Sequence, residues 1–237
     1  MKRIMLAACA LAMALLVLTG CAGSQPDTAS TVDTASAQTT VPASAAPTES
    51  TTAAKTVSPL PSGVDLEHLD NCTVAVSFDE GDAFVDDTGA MQLRAKVYVY
   101  DVYDMVDISM LQVGDEITIC RQNVKVTSLE RDEYGAVIIN GGLENGEYQL
   151  VSGDESGFHA VEFNDAKLYY ALGEVTILVS ADFEFEDSSD PEKGACTYYP
   201  GDFLTDNAGI VYHFVPNNTT VTIQDGYVVS MQRVYMP

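Results

Sequence analysis

The chain has 237 residues, 35 acidic and 11 basic side chains, a formal charge of −24 and no Trp. Nucleic acid and other polyanions bind through cationic residues that neutralise phosphate, so this balance excludes them as partners. Cationic ligands, basic proteins and plain solubility are what so acidic a surface leaves open.

In chain order, Met1-Lys2-Arg3 supplies a short positive start, and Ile4 to Leu18 an apolar run interrupted only by small residues. A membrane-spanning helix needs about 20 apolar residues to cross ~30 Å of hydrocarbon. This run is shorter and ends on small residues, the pattern of a removable export signal over residues 1–20. Leu18-Thr19-Gly20-Cys21 follows it directly. That tetrad resembles the lipobox of bacterial lipoproteins, a resemblance covering only the first two dozen residues. It implies cleavage before Cys21, lipidation of the Cys21 thiol with acyl chains such as palmitate, and Cys21 as the first mature residue. Each buried lipid CH₂ contributes about 0.8 kcal/mol, so a diacyl or triacyl group holds firmly. The expected location is therefore outside the cytoplasm, anchored to the outer face of the cell membrane. Ala22, rather than Asp, carries no inner-membrane retention cue, so an outer-membrane anchor stays open in a diderm host.

Residues 21–62 carry the lipid cysteine and then a Ser, Thr, Ala and Pro stretch. Its only charges are Asp27, Asp33, Glu49 and Lys55, and its only large aliphatics Val32, Val41, Val57 and Leu60. Such a segment buries too little to offset its conformational entropy and reads as a disordered tether. About 40 flexible residues span roughly 35 Å.

Residues 63–237 form one domain-sized stretch, with a possible subdivision near Gly153. Leu93, Ala95, Val97 and Val99 alternate with Arg94, Lys96, Tyr98 and Tyr100, the period-two pattern of a half-buried strand. The same pattern recurs at Val175-Ile177-Val179, at Phe183 and Phe185, at Val221 and Ile223, and at Tyr227-Val229-Met231. Asp225-Gly226 between the last two runs suits a two-residue type I′ hairpin. Further turn signals stand at Asp86–Gly89, Asp132–Gly135, Asn140–Gly142 and Asn145-Gly146. Met105 to Leu111 is the one stretch fit for a helical turn. Leu111-Gln112-Val113-Gly114-Asp115 before a strand resembles a turn of small β-barrels such as those of translation-factor accessory domains. Gly114 would take a positive φ and Asp115 brace the turn. Pro200-Gly201-Asp202 is a second candidate for that role. Short strands with closely spaced turns predict an all-β fold, an antiparallel sandwich or barrel-like domain built from hairpins.

Of five cysteines, Cys9 leaves with the signal and Cys21 takes the lipid. Cys72, Cys120 and Cys196 remain, either as one disulfide with a spare thiol or as three unpaired residues. Their wide spacing lacks a zinc pattern. Asp182, Glu184, Glu186, Asp187 and Asp190, with Glu192, crowd one strand and its following turn. They are candidate calcium ligands, since Ca²⁺ takes six to eight oxygens. Asp79, Glu80, Asp82, Asp86 and Asp87 form a second acidic stretch. Neither follows a calcium-loop spacing, and both also read as solvated strand edges. A carboxylate pair for glycan hydrolysis cannot be picked out of so many acids. Gly-x-Ser-x-Gly, HExxH and phosphate-cradling loops are absent. His68, His159 and His213 stand in no catalytic pattern.

All twelve tyrosines fall after the tether. Tyr98 and Tyr100 share one strand face, while Tyr169-Tyr170 and Tyr198-Tyr199 come as pairs. Tyr offers wide contact with little side-chain entropy to lose, so these six are candidate binding residues for protein or sugar. They also read as rings covering sheet faces with their hydroxyls in water. The expected role is a binding or interaction domain rather than an enzyme. A glycan or envelope hydrolase and a structural envelope lipoprotein are the alternatives.

Overall fold

The computed structural model describes residues 53–153, 157–205 and 208–236. The signal, Cys21 and the tether up to residue 52 lie outside the described residues. Strand takes 49% of the structure and helix 11%, which makes the molecule all-β as expected.

The chain opens with β1 (Thr56–Val57), β2 (Cys72–Ser77), β3 (Ala83–Val85) and β4 (Met91–Tyr100). Next come β5 (Val102–Asp104), the short helix α1 (Met105–Ser109), β6 (Glu116–Ile119) and β7 (Gln122–Lys125). They are followed by β8 (Leu129–Arg131), β9 (Val137–Ile139), β10 (Tyr148–Ser152) and β11 (Gly157–Val161). The chain then runs through β12 (Tyr169–Ser188), β13 (Cys196–Tyr198), β14 (Thr219–Gln224) and β15 (Tyr227–Val234).

Five of these strands close a small barrel in the order β4-β2-β14-β15-β12, with β12 returning to β4. Closure depends on the 20-residue length of β12. Its first half, Tyr169 to Leu178, runs antiparallel to β4, and its second half, Leu178 to Ser188, runs parallel to β15. Closure removes the exposed sheet edges that would otherwise template aggregation. The alternation read from the sequence fills the interior: Leu93, Ala95 and Val97 from β4 meet Val221, Ile223, Phe183 and Phe185. Phe203, from the 3₁₀ turn Pro200–Leu204, joins this aromatic cluster, where Phe78 and Phe214 stack at 4.1 Å.

The expected hairpin at Asp225-Gly226 forms, with both residues at positive φ (51° and 77°) between the paired Gln224 and Tyr227. The inward face of β15 differs from expectation. Val228 and Met231 are buried, whereas Tyr227 is 44% exposed. The register against β14 shifts between Thr222 and Ile223, so Val229 bulges and the alternation changes phase.

Residues 101–168 form an insert between β4 and β12. A sheet in the order β5-β11-β10-β9-β8 and a three-stranded sheet β1-β6-β7 surround a second core that includes Tyr103, Ile108, Ile117, Ile139 and Leu150. The subdivision therefore does not fall near Gly153. β10 and β11, on either side of that residue, pair with each other in one sheet. Two cores form within the described residues, and the barrel strands resume at Tyr169.

The tether boundary at residue 62 also shifts. Thr56 and Val57 pair parallel to β6, Val57 is 1% exposed, and the Leu60 amide donates to the Val102 carbonyl at 2.7 Å. One valine in a polar stretch looked too little to order it. Here it seals a strand edge and gains ladder bonds together with burial.

The Leu-x-x-Gly-Asp turn behaves as expected. Gly114 has φ of 100°, and Asp115 accepts from the amides of Gln112 (3.1 Å) and Lys55 (2.9 Å). At Pro200-Gly201-Asp202 the glycine keeps an ordinary φ, and Asp202 instead accepts from the Tyr199 amide at 2.7 Å to cap the 3₁₀ turn.

Candidate functional site

Inward-facing Val97 and Val99 force Tyr98 and Tyr100 onto the outer face of β4. Register with β12 places Tyr169 beside Tyr100 and Ala171 beside Tyr98. On the other flank Ala75 of β2 lies opposite Tyr98, whose hydroxyl lies 3.1 Å from Ser77 Oγ. The segment Leu60 to Val64 supplies the opposing wall, leaving a cleft of about 370 Å³ lined also by Val102, Lys167 and Thr220.

Lys167 enters from the stretch just before β12. Its Nζ donates to the Tyr100 hydroxyl at 2.9 Å and lies 4.1 Å from that ring's centroid, a hydrogen bond and a cation–π contact to one side chain. The Tyr100 ring also meets Tyr169 edge-on at 5.4 Å and His159 at 5.9 Å. Beyond Tyr100 a second hollow of about 480 Å³ continues past Ser152, Gly153 and His159, sharing Tyr100, Val102 and Lys167 with the first. Burial, with the neighbouring Tyr100, pushes the Tyr169 hydroxyl above its usual pKa, so it stays a protonated donor. Among the described residues no carboxylate lines either hollow.

The structure therefore gathers three of the six candidate tyrosines and separates the others. Tyr170 falls on the opposite face of β12, where the Arg121 guanidinium lies 5.3 Å from its ring centroid. Burial and the nearby Asp101 raise its pKa. Asp101 is 4% exposed and accepts from the Cys120 amide at 2.6 Å and the Tyr103 hydroxyl at 3.3 Å. Tyr198 stacks on Phe185 at 5.4 Å, and Tyr199 is exposed at the start of the 3₁₀ turn.

No known family model, curated protein or solved structure matches the chain.

The candidate calcium ligands do not converge. Asp182, Glu184 and Glu186 point to solvent along one face of β12. Asp187 faces the other way and forms a two-pronged ion pair with buried Arg233. Asp190 pairs with Lys193 at 3.0 Å and accepts from the Glu192 amide. In the second acidic stretch, Asp86 caps its own turn through Thr88 and Ala90, and Asp82 lies 3.5 Å from Arg94. Among the described residues no group of three or more potential metal ligands forms.

Cys72, Cys120 and Cys196 are all unpaired. Burial, then Asp101 and Glu162, push the Cys120 thiol up to about 11, which makes it a poor nucleophile at neutral pH.

Sequence reasoning missed Lys167 and the wall formed by Leu60 to Val64. Lys167 had a signal: it is a rare cation placed two residues before a tyrosine pair. The wall had none, because its contacts are non-local.

Proposed function

We propose that this chain is a lipoprotein, held through Cys21 and its tether to the outer face of the cell membrane. Its β-domain is a binding module whose ligand enters the Tyr98–Tyr100–Tyr169 cleft. One observation carries the site: Tyr98 and Tyr100 of one strand meet Tyr169, distant in sequence, on one concave surface beside a lysine. Aromatic walls offer stacking area, and the tyrosine hydroxyls and Lys167 offer fixed polar contacts, the usual make-up of a ligand pocket. Hydrolysis by an acidic pair gains no support at this cleft, since no carboxylate lines it among the described residues.

Two measurements test the two halves. Cys21→Ala abolishes incorporation of labelled fatty acid, and persistent labelling contradicts the anchor. Ligand-induced chemical-shift changes in the detergent-solubilised protein, screened with envelope saccharides, centre on Tyr98, Tyr100 and Tyr169. Changes centred elsewhere contradict the site.

A further inference from the structure

Among the described residues, four of the chain's scarce cations are held in ion pairs. Lys55 pairs with Asp107, Arg94 with Asp82, Lys193 with Asp190 and Arg233 with Asp187. Arg131 donates to the Ile108 and Ser109 carbonyls at the end of α1. Lys167 differs. Among the described residues it forms no ion pair, and its Nζ donates only to the Tyr100 hydroxyl, leaving ammonium donors directed at no carboxylate. A chain with 35 acidic side chains thus holds a cation against an aromatic wall, in a hollow that no described carboxylate lines.

We propose that the ligand of this cleft is a short acidic saccharide, its ring lying against Tyr98 and Tyr169 and its carboxylate or phosphate meeting Lys167. This rests on the reading of the cleft as the ligand site and adds the ligand's chemistry. A charge-assisted hydrogen bond to an anion is about twice as strong as a neutral one. The rest of the lining mixes aliphatic side chains with the hydroxyls of Ser62, Thr73, Thr220 and Ser152, which can meet sugar hydroxyls. The whole-molecule charge of −24 repels a long polyanion. That restricts the ligand to one acidic sugar or the acidic end of a chain. Net charge left cationic ligands open beside plain solubility, whereas Lys167 is the Lys or Arg among the described residues lining these hollows.

The test is calorimetric titration of the detergent-solubilised protein with digalacturonate, its neutral methyl ester, galactose 6-phosphate and the peptide Ala-Ala-Ala. The acidic sugars are expected to bind at least tenfold tighter than the ester, and whichever of the two binds tighter identifies the anion as carboxylate or phosphate. Lys167→Met removes that preference, Lys167→Arg retains most of it, and Tyr98→Ala weakens acid and ester alike. Equal binding of acid and ester, both lost in Tyr98→Ala, overturns the acidic ligand and leaves the cleft reading standing. Binding of the peptide carboxylate without any saccharide also overturns the acidic sugar while keeping the cleft. Saccharide binding that is indifferent to both Tyr98→Ala and Tyr169→Ala, or no binding by any of the four probes, overturns both.

Discussion

Arg233 is 2% exposed, a cation inside the last barrel strand, and the barrel tolerates it because every side supplies a partner. Asp187 takes two of its donors, the Val211 carbonyl accepts from Nη1 at 2.6 Å, and the Phe214 ring centroid lies 4.5 Å from the guanidinium. Removing one member of a buried ion pair leaves the other uncompensated, so Arg233→Met lowers stability by about 3–5 kcal/mol in chemical denaturation. The pair also sets a pH dependence. Burial disfavours ionised Asp187, but hydrogen bonds from Arg233 and Ser189 outweigh it and hold the carboxyl below its usual range. A carboxyl whose folded pKa is depressed contributes stability above its unfolded value near 4, lost as pH falls through the folded value. Asp187→Asn therefore flattens the acid limb of the stability curve below about pH 4, and an unchanged limb contradicts the assignment. This pairing was partly legible. Phe183 and Phe185 mark the odd positions of β12 as inward, and Asp187 shares that parity, while Asp182, Glu184 and Glu186 are even. Composition grouped all four as one acidic cluster; strand geometry divides them.

At the scale of elements, turns and alternation were readable because their causes are local. Asp225-Gly226, Gly114 and the buried face of β4 follow from residue type and spacing alone. The Val229 bulge, the closure of the barrel by β12 and the seating of β1 depend on pairing partners far away in sequence. Period-two patterning is blind to such partners. The run around Ile177 and its continuation around Phe185 form one strand shared by two neighbours. The insert has its own sensitive point at Gly157. A Cβ there would lie 2.9 Å from the Tyr103 carbonyl oxygen and 2.6 Å from Val102 Cγ1, so β11 approaches β5 too closely for any other residue. Gly157→Ala forces the two strands apart and costs about 1–3 kcal/mol, read as a lowered Tm. An unchanged Tm means that the close approach is not maintained in solution.

For the whole molecule, the topology explains how a binding face arises on a closed barrel. β4 pairs with the first half of β12, the two part at Tyr100 and Tyr169 to admit the insert, and the hollows open beside that junction. The Leu60 to Val64 wall comes from the chain just after the tether, so the segment that leads from the proposed anchor also shapes the cleft. Little of this was legible beforehand. Alternation already placed Tyr98 and Tyr100 on one strand face, and the register between β4 and β12 adds Tyr169 to them while leaving Tyr170 out. The most direct measurement is co-sedimentation of the detergent-solubilised protein with insoluble cell-envelope saccharide, comparing wild type with the Tyr98→Ala/Tyr169→Ala double variant at matched Tm. At least a tenfold loss of retention in the variant is the predicted result. Equal retention of the two proteins contradicts recognition through the tyrosine cleft.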